Sequence, residues 1–297
     1  MNESKSGEAS SLACISITSI FPEVLRSVLD SSILRRAQAK ELVSLETSNL
    51  RDFAVNKHKS VDDSPYGGAQ GMLFTAPVLK NAYDHELAQV GGDRDRLKVI
   101  YPHPRGLAFN QTISQALANW LLTGSGAPEF PSDSLAPKTS DDVDLPAEKK
   151  SQRIWIICGR YEGIDERFVD QYVDLEVSMG DFIVTGAELP ALTIVDAITR
   201  LLPGVLGDEK SARDDSFSSQ LLEYPQYTRP AEFGGQGVPE ALMSGNHKVI
   251  EEWKLRESLM LTAAFRPDLI RKHDGNGLPY WAGELLKKLQ NRIDLRS

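Results

Sequence analysis

The sequence predicts an α/β protein: a parallel sheet with helices on both faces, followed by a small helical C-terminal domain. Three observations carry this reading. Apolar runs of strand length alternate along the chain with segments of helical periodicity. The strand runs are nearly continuous in apolar residues, the pattern of strands covered on both faces. Gly-bearing loops follow three of these runs, where open parallel sheets bind ligands.

Residues 15–21 (ISITSIF) read as a buried strand, and Pro22 opens a helix with Val24, Leu25, Val28 and Leu29 at helical spacing. ELVSLE at 41–46 alternates like a strand. A helix is expected from Pro77 to about Gln89, a strand at 97–103 and a helix at 111–122. IWIICG at 154–159 is a strand and DERFVDQY at 165–172 a helix, with Asp165 as its cap. VDLEV at 173–177 and DFIVT at 181–185 are strand-like, and 188–202 is an amphipathic helix stopped by Pro203-Gly204. Further helices are expected at 246–264 and 280–292.

This rhythm divides the chain into an α/β domain over 14–202, a Gly-, Pro- and charge-rich linker or lid over 203–239, and a helical domain over 240–297. Residues 123–150 interrupt the first domain with four Pro, four Ser, six acids and three bases, and are expected to be a mobile surface insertion.

The 297 residues carry 33 Lys and Arg against 42 Asp and Glu, a net charge of −9, with 41% hydrophobic and 25% charged residues. This is ordinary globular composition and excludes fibrous or wholly disordered chains. Taken alone, it describes a soluble enzyme with a small-molecule substrate, because nucleic acid usually draws a basic face. A local patch can oppose the total. Residues 240–297 hold ten bases against eight acids, +2, within an acidic chain. No apolar run reaches membrane-spanning length, so no membrane partner is expected. The polar start MNESKSGEASSL is unlike a secretory signal, and two isolated cysteines, Cys14 and Cys158, suit a reducing compartment; a cytoplasmic protein is expected.

Several chemistries are excluded. Gly-Lys never occurs, so there is no P-loop, and neither a G-x-S-x-G elbow nor a complete dinucleotide fingerprint is found. The five histidines lack H-E-x-x-H spacing, and no zinc ligand set is seen.

The three loops are Tyr101-Pro102-His103-Pro104-Arg105-Gly106, then Cys158 to Arg167 (CGRYEGIDER), then Ser178 to Pro190 (SMGDFIVTGAELP). Glycines at 159, 163, 180 and 186 let main-chain groups approach a ligand, and Met179, Phe182 and Val184 offer apolar contact to an adenine. With Asp165 assigned to the cap, Glu162 stays as a site candidate. A fourth glycine cluster spans Asp62 to Met72 (DDSPYGGAQGM), and Asp214-Asp215 lies in the lid, where paired acids are usually just solvated.

VDDSPYGGAQGM, ICGRYEGIDER, GDFIVTGAELPA, PGVLG, DDSF, YPQYTRP and ALMSGNH resemble, in order over roughly 14–270, the bacterial tRNA (guanine-N1)-methyltransferases. These belong to the trefoil-knotted, or SPOUT, methyltransferases. The resemblance implies a C-terminal trefoil knot in the α/β domain, a feature that periodicity does not reveal. It implies S-adenosylmethionine as cofactor, tRNA as substrate, methylation of N1 of guanine 37 just 3′ of the anticodon, a homodimer with each site built from both chains, and dependence on magnesium. Matching positions place cofactor contacts at Tyr101, Pro102, His103, Gly159, Tyr161, Glu162, Gly163, Ser178, Met179, Gly180, Phe182, Val184, Gly186 and Ala187, with Glu223 added where the family commonly has aspartate. Arg200 matches the catalytic arginine and Asp215 the general base. No metal ligand set is evident.

The residue types suit that chemistry. Guanine N1 carries a proton that a carboxylate can take. Charge then grows toward O6, where a guanidinium stabilises it. The sequence departs from the family pattern at Ala69 and Ala187, where Gly is usual, and at YPHPRG, where Tyr-x-Ser-Pro-Gln-Gly is common. Two other readings keep the fold: a knotted methyltransferase acting on a ribose 2′-OH or another base, and a non-catalytic RNA-binding protein. Arg200 and Asp215 speak against both.

Overall fold

A computed structural model describes residues 13–125, 152–207, 216–217 and 220–295. The insertion expected over 123–150 and the candidate base Asp215 fall largely or wholly outside these residues. The chain divides into two compact units between Gly207 and Asp208.

The first unit holds a five-stranded, all-parallel sheet. Its strands are β1 (Cys14–Ser19), β2 (Ser44–Asn49), β5 (Leu97–Ala108), β6 (Arg153–Ile157) and β7 (Leu175–Ser178), in the order β2-β1-β6-β5-β7. A small antiparallel pair, β3 (Asp62–Asp63) and β4 (Leu73–Phe74), stands apart. Every residue of β1 and β6 is buried, which explains their unbroken apolar runs.

Side chains alternate between two cores. On one face, Ile15, Ile17, Ile100, Ile154 and Ile156 pack with α1 (Pro22–Leu29), α2 (Ser32–Ala39), α4 (Gln111–Thr123) and α6 (Glu188–Thr199). On the other, Val99, Tyr101, Trp155 and Ile157 pack with α3 (Ala76–Gln89) and α5 (Glu166–Tyr172). The expected helix layers on both faces are present. Trp155 satisfies its indole N–H on the Thr18 hydroxyl at 2.7 Å, so its polar atom is buried without penalty.

Three local readings need correction. Helix α2 was not expected, because only Leu34 and Ala37 of SILRRAQA turn inward and two arginines mask the period. It displaces the start of β2 from residue 41 to Ser44. Residues 181–185 (DFIVT) are not a strand: β7 is the sheet edge, the chain turns at Gly180 with φ +138°, and Phe182 and Ile183 are exposed. The first glycine loop is not a loop outside the sheet but a bulge within β5, where the register with β7 slips between Pro102 and Leu107. Gly106 permits this, since a Cβ there would collide with the Glu176–Val177 backbone.

The second unit contains a hairpin, β8 (Glu232–Phe233) and β9 (Gln236–Gly237), and helices α7 (Glu240–Met243), α8 (His247–Phe265), α9 (Pro267–Lys272) and α10 (Tyr280–Asp294). Leu221, Leu259, Ile270, Ala282, Leu286 and Leu289 form its core. Thr262 Oγ1 accepts the Leu222 N–H at 2.8 Å, joining the incoming segment to α8.

Ile156 is fully buried in the central strand β6. Ile156→Ala is expected to destabilise the sheet unit by about 3 kcal/mol, read as a lowered denaturant midpoint with unchanged slope.

Candidate active site

Strands β6, β5 and β7 are neighbours and parallel, so their C-terminal ends open at one edge. A cavity of about 350 Å³ lies there, within the range of small-ligand sites. It gathers Tyr101, Pro102 and His103 from β5, Gly159, Tyr161, Glu162 and Gly163 from the segment after β6, Ser178 from the end of β7, and Met179, Gly180, Phe182, Val184, Gly186 and Ala187 from the segment after β7. Pro104, Arg160, Val177, Ile183, Thr185 and Pro190 complete the wall.

Backbone hydrogen bonds stitch these loops together. Ala187 N–H donates to Gly159 O at 3.1 Å, which sets the loop after β7 against the loop after β6. Glu162 N–H donates to Met72 O at 3.1 Å and Phe74 N–H to Gly163 O at 3.1 Å, tying the second loop to β4. Gly159 is needed for close approach: a Cβ would stand 2.9 Å from the Tyr101 ring. Ala187 is one of the lining residues and is itself buried. As expected, Asp165 caps α5, accepting the Arg167 N–H at 3.0 Å. The Arg167 hydrogen bond holds its carboxyl below the usual range against partial burial.

The wall contributed by β5 has its own electrostatics. Burial, reinforced by the Glu176 charge, pushes the Tyr101 hydroxyl up to about 12, so it stays protonated. Tyr101 stacks on His103 with ring centroids 5.2 Å apart. Arg105 fixes the bulge: Nε and Nη2 reach the two Glu176 oxygens at 2.8 and 3.0 Å, and Nη2 meets Glu166 at 2.6 Å. Two effects compete at His103. Its Nδ1 lies 3.5 Å from Glu176, which favours the charged ring. Burial, aided by Arg105, lowers its pKa instead, and Nδ1 accepts the Arg105 N–H at 3.3 Å, a bond only the neutral nitrogen can make.

Cys158 directly follows β6 and is buried. Burial, then the neighbouring Glu188 charge, pushes its thiol well above the ordinary value, so it is no nucleophile.

Arg200 is not among the residues of this cavity wall. Arg200 caps the far end of α6, its N–H on Asp196 O at 3.1 Å. Glu223 belongs to the second unit, where its N–H donates to the Ser216 hydroxyl at 2.9 Å and its carboxylate accepts from Gln226. Asp215 lies outside the described residues. Among the described residues, no three His, Cys, Asp or Glu side chains converge on a metal position, so the magnesium expectation finds no ligand set there. Among the described residues, no helix is long and apolar enough to cross a membrane.

Residues 13–122 and 139–272 match the family model described as tRNA (Guanine-1)-methyltransferase TrmD. The chain belongs to the tRNA (guanine-1)-methyltransferase family. The stretch the family model skips, 123–138, falls inside the insertion read from composition. The chain is similar to the tRNA (guanine-N(1)-)-methyltransferase of Alkaliphilus metalliredigens, 40% identical over 92% of this chain and 98% of the relative. It is 44% identical to that of Geotalea uraniireducens, over 86% and 89%. It is 42% identical to that of Staphylococcus carnosus, over 87% and 91%. Arg160 and Glu188 sit in the second and third glycine loops, but their pairing carries no sequence signal, and neither does Ser19 within the first strand run.

The His103 pKa is depressed by folding, so its contribution is complete above the unfolded value of about 6.5 and is lost as pH falls through the lower folded value. The wild-type chain should therefore lose thermal stability more steeply between about pH 7 and pH 5 than His103→Gln. Parallel melting curves across that range would contradict the assignment.

Proposed function

We propose that this chain transfers a methyl group from S-adenosylmethionine to N1 of guanine 37 in tRNA. The observation that carries the reading is the cavity at the ends of β6, β5 and β7, which gathers the fourteen loop positions matched to the family's cofactor contacts in a chain of that family. When bound, S-adenosylmethionine supplies the methyl group as a sulfonium.

The chain's own residues would do the rest. Main-chain groups and the apolar side chains of Met179 and Val184 hold an adenosyl group without requiring charge. Tyr101 offers a neutral hydroxyl at the same wall. Asp215 takes the proton from guanine N1, and Arg200 stabilises the charge that develops on O6. The target base leaves its stack to reach them. Residues 240–297, with their +2 balance, supply the basic contribution that tRNA phosphates require.

The return of the chain after β7 to the loop after β6, through the Arg160–Gly186 bridge and the Ala187–Gly159 bond, supports a trefoil knot. The length of α6 supports a site shared by two chains. Ten positions separate Pro190 in the cavity wall from Arg200, about 15 Å at 1.5 Å per residue. A homodimer would let one chain's Arg200 serve the other chain's cavity. The exposed Phe182, Ile183 and Leu189 beside that cavity are apolar surface a second copy could cover.

Labelled methyl transfer tests the reading. A tRNA transcript with guanine at the target position should accept label, and the adenine variant should not. Equal labelling of both would point to another acceptor atom, and labelling of neither to a binding protein. Asp215→Asn should lower turnover by about 10²–10⁴-fold while cofactor binding persists; near-normal turnover removes Asp215 as the base. Mixing subunits mutated separately in Asp215 and in the cofactor loops should restore part of the activity. Failure to restore any would refute the shared site.

A further inference from the structure

Glu188 opens α6 with a carboxylate that is 2% exposed, and the proposed chemistry does not use it. Its partners come from distant parts of the chain. Oε1 accepts the Ser19 hydroxyl at 2.6 Å and Arg160 Nε at 3.2 Å, and Oε2 lies 2.9 Å from Arg160 Nη2. Arg160 also donates to the Thr185 carbonyl at 3.3 Å, and its guanidinium sits 4.8 Å from the centre of the Phe21 ring. Gly186 makes room for the pair, since a Cβ there would collide with both Arg160 and Glu188. One carboxylate therefore joins the end of β1, the loop after β6 and the loop after β7.

Arg160 also lines the cavity, and its guanidinium lies against Thr185 and Gly186 of the same wall, so its positive charge is close to the space where a ligand would sit. A donor with a sulfonium is repelled by such a charge unless a carboxylate neutralises it. We propose that Glu188 is a positioning residue that acts through Arg160: it clamps the two cofactor loops and cancels the guanidinium charge, so that the cavity accepts a cationic methyl donor as readily as its uncharged thioether product. This rests on the reading of the cavity as the S-adenosylmethionine site.

Glu188→Gln is nearly isosteric and retains an oxygen for Ser19 and Arg160, but it leaves the guanidinium uncompensated. Calorimetric titration of the full chain with S-adenosylmethionine and with S-adenosylhomocysteine reads the consequence without catalysis. The variant should bind both more weakly and the sulfonium more so, raising the ratio of the two dissociation constants by about five- to tenfold at low salt, with the effect shrinking as salt is added. The double variant Arg160→Met with Glu188→Gln should bring the ratio back toward wild type. Ser19→Ala, which keeps both charges, should leave the ratio unchanged. A ratio unaltered in a folded Glu188→Gln protein overturns the proposal. Should that variant not fold, Arg160→Met alone decides: it leaves Glu188 negative and must shift the ratio toward the sulfonium, and no shift overturns the proposal. A wild-type chain that binds neither ligand would instead refute the reading of the cavity itself, and the inference with it.

Discussion

Three neighbouring parallel strands deliver their chain ends to one edge of the sheet, and the rest of the site is built on that constraint. Because β6, β5 and β7 run the same way, the segments that leave them must turn within one small volume. Their peptide groups satisfy one another only where side chains are small enough to let backbones meet. Gly106 lets the β5 bulge lie on β7, and Gly159 lets the second segment pass the Tyr101 ring. The hydrogen bond from Ala187 to Gly159 then closes the third segment against the second. The cavity is what remains between segments already fixed on each other, which makes it a pre-organised site.

Charge is handled differently at the two ends of this sheet. At the N-terminal end, Arg153 is buried between Glu86 at 2.5 Å and Glu46 at 2.5 Å, and it also donates to Cys14 Sγ at 2.9 Å. Burial works against the Glu46 carboxylate, yet the Arg153 hydrogen bond brings its pKa below the usual value. That cluster is far along the strands from the cavity and is structural: removing one partner would strand a buried charge. At the C-terminal end the same device borders a cavity. Arg105 is held by Glu176 and Glu166, and Arg160 by Glu188, so each guanidinium near the site is paired within the protein. The guanidinium charges beside the cavity are therefore offset within the protein, and Glu162 adds a carboxylate to the wall.

Family membership and cavity geometry support each other without being the same argument. The family match spans most of the chain and fixes what its relatives are called. The geometry concerns this chain alone: His103 and Arg105 of the first motif both have defined work in the β5 bulge. His103 stacks on Tyr101, and Arg105 braces β7 and α5. Ala187 is buried in the loop that closes on Gly159.

Much of this was legible in the residues. Continuous apolar runs such as IWIICG, glycines after strand ends, and Asp165 ahead of a helix each act over a few neighbouring positions, so local sequence determined the α/β class, the sheet strands and the loops that carry the cavity. The periodicity failed where local signals were diluted, as in α2 with two arginines, or imitated, as in DFIVT, whose apolar residues meet a cavity and an exposed face instead of a neighbouring strand. Only the tertiary structure decided that Ser19 and Glu188, 169 positions apart, share a hydrogen bond, or that Arg160 of the cavity wall is the third member. Strand order brings such residues together, and strand order follows from packing the whole sheet, which no short stretch of sequence encodes.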